Sequence, residues 1–210
     1  MSSKLPPGTG SAAISQSLLF GIFTLSGLSA LLYQMVWQRC LFMIYGSNVE
    51  SVAMVVTAFM AGLGIGSLVG GALSKQTQLS LVLLFGVAEL GIGIYGLFSL
   101  QLFQQVGEMT VGASTLATGV LVFTLVFFPT LLMGATLPLL VAHQVRSRVS
   151  VGQAVSWLYF ANTLGAGIGA FLAVFVLLGR LGQAGSVRLA AVGNAFAALS
   201  ILLPWLLRRK

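Results

Sequence analysis

Residues 51–73 read SVAMVVTAFMAGLGIGSLVGGAL, twenty-three positions without a charged side chain. A run of that length matches the ~20 apolar residues that carry an α-helix across the ~30 Å hydrocarbon layer of a bilayer. Within it Ala58, Gly62, Gly66 and Gly70 recur every four residues and line one helix face. Small residues in that register let helix backbones approach closely, which matters where lipid removes the hydrophobic drive for packing. The stretch therefore predicts a membrane-spanning helix packed along a glycine face. The string GLGIGS at 62–67 has the look of a dinucleotide-binding turn, but no strand precedes it, so no cofactor is expected there.

Working outward, further apolar runs cover about 15–38, 79–102, 116–142, 154–179 and 186–207. They leave a polar N-terminal tail at 1–13, one transmembrane domain at 14–207 and a basic end at 208–210. The breaks fall at 46–50, 74–78, 104–108, 143–148 and 180–183. The expected fold class is an all-α membrane protein, a six-helix transmembrane bundle. Transmembrane strands are a poor alternative, because they alternate polar and apolar residues in pieces of about ten.

Composition agrees. Of 210 residues, 58% are hydrophobic and 6% charged, with mean hydropathy +1.04; a soluble domain carries about 25% charged residues. Ten Lys and Arg against three acids give a formal charge of +7. These bases stand singly near segment ends, without the basic patch and interleaved aromatics of a nucleic-acid binder. They are read as topology signals facing lipid headgroups. With six spans, one side carries Lys4, Lys75, Arg146, Arg148, Arg208, Arg209 and Lys210, and the other Arg39, Arg180 and Arg188. The positive-inside rule then predicts an inner-membrane protein with both termini cytoplasmic. Cys40 is the single cysteine, so no intrachain disulfide is possible.

The chain also repeats itself. GLGIGSLVGG at 62–71 aligns with GAGIGAFLAV at 165–174, a shift of 103, and AELGIGIYGLFSL at 88–100 resembles AAVGNAFAALSIL at 190–202. The fifth run has its own stripe of Ala161, Gly165, Gly169 and Ala173. Two units at about 15–102 and 116–207, of three spans each, would insert in opposite senses and give an inverted 3+3 repeat, a symmetry common in transporters. Chance likeness between glycine-rich helices is the alternative.

Glu89 is the residue that most invites a function. It falls near the middle of the 79–102 run, with Gly86, Gly93 and Gly96 on the same helix face. An acid within a membrane span is a functional candidate by default, here a site for a cation, an amine or a proton. The plain alternative is a neutral acid fastening two helices. Tyr33, Gln34 and Trp37, in YQMVWQR at 33–39, either line a cavity or form an interfacial anchor with Arg39. Asn162 joins Glu89, Tyr33, Gln34 and Trp37 as a candidate substrate-binding position, with interhelical hydrogen bonding as its alternative. Asn194 is read as structural, and His143 as interfacial. Pro129 and Pro138 are expected to kink the fourth helix and free a carbonyl each. There is no Asp, and one His and one Cys, so no metal site, catalytic set or enzyme activity is expected.

The strings LSGLSALLYQMVWQR (25–39), AFMAGLGIGSLVGG (58–71), AELGIGIYGLF (88–98), PTLLMGATLPLL (129–140) and LYFANTLGAGIGAFLAVFVLLGRLG (158–182) carry a family likeness. The chain resembles, over about 20–182, the membrane portion of bacterial proteins known as fused major-facilitator-like/spermidine synthases. The resemblance implies half of a major-facilitator-like bundle, which as a homodimer would supply twelve spans. It implies an amine or polyamine as the small solute. It also implies a separate soluble aminopropyltransferase-like partner, for which this chain would serve instead as membrane anchor or scaffold.

Overall fold

The computed structural model describes residues 15–46, 49–76 and 80–207. The tail at 1–13 and the basic end at 208–210, with their four topology-setting bases, lie outside the described residues. The described chain is helical, without strands, and six helices are long and apolar enough to cross a membrane. They are α1 (Gln16–Tyr45), α2 (Val49–Ser74), α3 (Leu81–Met109), α4 (Thr115–Arg146), α5 (Val151–Arg180) and α6 (Gly182–Leu207). Serines open three of them. Ser15, Ser114 and Ser150 are N-caps whose hydroxyls accept from the amides of Leu18, Ala117 and Gln153, satisfying donors the helix leaves free. Gly46, at φ 87°, ends α1. Gly182, at φ 65°, lets α6 start one residue after α5 stops, a conformation that suits glycine.

Most helices outrun their apolar cores. Residues 39–45, 104–108 and 143–146, read from the sequence as segment ends or breaks, are helical. Polar residues that protrude from hydrocarbon have no reason to stop a helix whose internal hydrogen bonds are already favourable. Both Pro129 and Pro138 lie inside an unbroken α4. Pro129 has no N–H for the Leu125 carbonyl, and Tyr95 of α3 supplies the donor instead, its hydroxyl 2.6 Å from that oxygen. The sequence expectation of a freed carbonyl thus finds its partner thirty residues away. In α5 the α-helix ends at Leu172 and a π-helical turn, Ala173–Leu177, precedes the last turn.

The chief pairings are α2 with α4, α1 with α5, and α3 with α6, while α3 also meets α4 and α1 meets α6. The glycine stripes make the first two. A Cβ on Gly66 would overlap the Leu131 carbonyl oxygen, and one on Gly70 would lie 2.5 Å from that of Ala135. On α5, Gly165 and Gly169 face the carbonyl oxygens of Thr24 and Leu28. These contacts correspond. Gly62 approaches the Phe127 carbonyl and Gly66 that of Leu131; adding 103 to each glycine and subtracting 103 from each partner gives Gly165 with Thr24 and Gly169 with Leu28. Outward-facing side chains such as Leu68, Phe98, Phe175 and Val192 are large, apolar and exposed, as lipid contact requires.

Candidate functional site

The α1 residues Ser26, Ser29, Tyr33 and Trp37 recur at three- and four-residue intervals and form one face. All four are buried. That face meets α3 and α6, whose close approach is permitted by glycines. Gly93 packs on Asn194, and Gly96 leaves the space filled by the Tyr33 ring. Gly193 likewise makes room for the Ser29 hydroxyl, 2.5 Å from where a Cβ would stand.

Glu89 lies at the centre of this seam and is 0% exposed. Ser26 Oγ donates to its Oε1 at 2.5 Å, and Asn194 Nδ2 donates to its Oε2 at 2.7 Å. Three helices therefore hold one carboxyl group. Because α3 runs on to Met109, Glu89 falls in its first third rather than near the middle. It stands eight residues, about 12 Å, from the start of α3, deep enough to lie within hydrocarbon. No basic side chain among the described residues acts on it. Three further polar atoms in the seam are buried and have no hydrogen-bond partner among the described residues: Ser29 Oγ, Tyr33 OH and Asn194 Oδ1.

Aromatic rings close the seam at both ends. Toward the start of α1 and α3, Phe23 meets Phe85 edge-on with centroids 6.2 Å apart. Both belong to a buried layer with Leu19, Val82, Leu158 and Ile201. Toward the other end, Tyr33 stacks on Trp37 at 5.0 Å, and Trp37 meets Tyr95 and Phe103 edge-on at 5.8 Å each. Trp37 Nε1 donates to Ser99 Oγ at 2.9 Å, and Ser99 passes its own proton to the Gly96 carbonyl. Beyond the Phe23 layer, a pocket of about 360 Å³ opens between the ends of α1, α4 and α5, lined by Gln16, Phe20, Gln144, Gln153 and Trp157 among others.

Among the residues singled out from sequence, the structure buries Glu89, Tyr33 and Trp37 in one seam, with Tyr33 against Gly96, about two turns along α3 from Glu89, and Trp37 a turn further on. Tyr33 and Trp37 are each 0% exposed. They are core residues rather than an interfacial anchor, because α1 continues for two more turns past Trp37. Gln34 and Asn162 are not brought to Glu89. Gln34 is half-buried, about 100° round α1 from Tyr33, and Asn162 packs over Gly27 at the crossing of α1 and α5. Asn194, read as structural, is one of the two groups that bind the carboxyl. Ser26 and Ser29 had not been singled out; their shared face with Tyr33 was the available signal. Arg146 caps the neighbouring helix, donating to the carbonyls of Ser74 and Gln76 at 2.8 Å each. Among the described residues no group of three or more His, Cys, Asp or Glu gathers as a metal site. Neither a family model, nor a curated protein, nor a solved structure matches this chain.

Proposed function

We propose that this is a membrane carrier that binds a small cation at Glu89, between α1 and α3 of its first half and α6 of its second. One observation carries the reading: a carboxyl group wholly buried among apolar helices, answered by no basic side chain among the described residues, beside three polar atoms that find no partner among them. A carboxylate removed from water is tolerated when a proton or a cation offsets its charge. A purely structural fastener has no use for further unpaired oxygens around it. The aromatic layers on either side make the site closed to both ends of the bundle, which is the middle state of an alternating-access cycle.

The reading includes an inverted 3+3 repeat, supported by the shift of 103 that relates the glycine contacts in both directions. It also includes an inner-membrane location with cytoplasmic termini, supported by the placement of basic residues. Amines enter as one class of small cation through the family resemblance. The scaffold alternative, recruitment of an aminopropyltransferase-like enzyme through basic loops, gains no support from Arg146, whose guanidinium is committed to α2.

The test is flux in proteoliposomes. Labelled sodium, methylammonium and spermidine are offered to wild-type protein and to Glu89→Gln, which keeps the size and hydrogen-bonding capacity of the side chain. Uptake of at least one cation above that of protein-free liposomes, lost in Glu89→Gln, is expected. Equal uptake by both proteins for every cation would refute the proposal.

A further inference from the structure

The seam at Glu89 has a composition that narrows its ligand, and the narrowing rests on the carrier reading above. We propose that Ser26, Ser29, Glu89 and Asn194 together hold one desolvated monovalent metal cation of sodium size. Charge sets the valence. One carboxylate balances one positive charge, whereas a divalent ion would leave a net charge buried among apolar helices, at a desolvation penalty of several kcal/mol.

The unpartnered atoms favour a metal ion over a proton. A proton on Glu89 answers the carboxylate and, with the Asn194 amide turned over, can donate to Asn194 Oδ1, but it gives nothing to Ser29 Oγ. Asn194 Oδ1 accepts only, while the Ser hydroxyls can turn their protons away and present lone pairs. All four side chains then offer oxygen, the donor that hard cations prefer. Ser26, which donates to Glu89 here, needs only a rotation about its Cβ–Oγ bond to join them.

Space excludes a chain. Glu89, Ser29 and Tyr33 are 0% exposed and Asn194 is 1% exposed. Phe23 and Phe85 stand on one side of the seam, and Tyr33 and Trp37 on the other. A polyamine needs a channel along its length, and the rings interrupt it in both directions. A bare ion needs only the oxygens. The small residues shape the chamber, since a methyl on Gly193 would displace the Ser29 hydroxyl and one on Gly96 the Tyr33 ring.

The experiment is equilibrium binding of 22Na+ to the purified full-length protein, read by scintillation proximity in choline chloride at constant ionic strength. Saturable binding of one Na+ per chain is expected, displaced by unlabelled Na+ and not by choline or spermidine. Glu89→Gln should abolish it. Ser29→Ala, which removes the hydroxyl and leaves Cβ in place, should weaken it by about tenfold, the loss of one oxygen ligand. Retention of the wild-type unfolding temperature by Ser29→Ala shows that the loss is not one of folding. Absence of saturable 22Na+ binding, or wild-type affinity in Ser29→Ala, overturns the sodium assignment. If labelled methylammonium or spermidine nevertheless binds and Glu89→Gln abolishes that binding, the carrier reading stands without sodium. If no cation binds in a Glu89-dependent way, both fall.

Discussion

Four glycine-to-alanine substitutions separate close helix packing from every other effect of adding a methyl group. At Gly66 the new Cβ would meet the Leu131 carbonyl oxygen of α4, and at Gly169 the Leu28 carbonyl oxygen of α1. At Gly64 and Gly167, on the exposed sides of α2 and α5, it would meet nothing within 4 Å. All four positions are mid-helix, so the gain in helix propensity, about 0.8–1 kcal/mol, is shared and cancels in a comparison. What remains at Gly66 and Gly169 is overpacking. The obstacle is backbone, which cannot rotate away, so the two helices must separate at a cost of about 1–3 kcal/mol. Unfolding in mixed micelles by SDS titration should therefore place Gly66→Ala below Gly64→Ala, and Gly169→Ala below Gly167→Ala, by about 1–3 kcal/mol each. The two differences should also agree, because the two contacts correspond under the shift of 103. If the inward and outward substitutions differ by less than about 0.5 kcal/mol, within the scatter of surface changes, the packing argument is wrong.

Two other interactions make separate predictions. Tyr95→Phe removes the donor from the Leu125 carbonyl that Pro129 leaves without its helical N–H, and should destabilise by about 1 kcal/mol. In a Pro129→Ala background the helix supplies its own donor, so the same substitution should matter less. A double-mutant cycle with coupling indistinguishable from zero refutes the link. Ser99→Ala strands the Trp37 indole N–H inside the seam, at a cost of about 1–3 kcal/mol. With Trp157 and Trp205 replaced by Phe, emission from Trp37 should move to shorter wavelength in Ser99→Ala; an unchanged spectrum would show that the bond is not made in solution.

What the sequence disclosed is what a helix encodes locally. Apolar length set the number of spans, and the four-residue recurrence of Ala58, Gly62, Gly66 and Gly70 named the face that packs on α4. Glu89 stood out because lipid makes a carboxyl conspicuous. Helix ends were harder, since residues 104–108 and 143–146 are polar enough to leave hydrocarbon yet remain helical. The same blind spot made Tyr33 and Trp37 resemble an anchor, because Arg39 beside them looked like a boundary while α1 went on to Tyr45. The partners of Glu89 were not legible at all. Ser26 is 63 positions before it and Asn194 is 105 after it. Which helices become neighbours depends on pairings that no local spacing records, and an ordinary serine or asparagine in an apolar run carries no mark of what it will face.

The α2–α4 and α1–α5 crossings share their glycine packing but not their chemistry, and the difference falls on the seam. The shift of 103 that equates the glycine contacts also assigns each α1 seam residue a counterpart. Ser26, Ser29, Tyr33 and Trp37 of α1 correspond to Pro129, Leu132, Thr136 and Leu140 of α4. Under the shift of 102 that aligns 88–100 with 190–202, Glu89 and Asn194 correspond to Ala191 and Ile92. The face that α4 turns to the bundle buries Thr130 and Thr136 beside Val122, Val126 and Met133, and carries no acid. A pair of structural fasteners would suit both crossings equally, since the helices on each side carry similar loads. A carboxyl buried on one side alone, within hydrocarbon where it is expensive, is the asymmetry on which the proposed cation site rests.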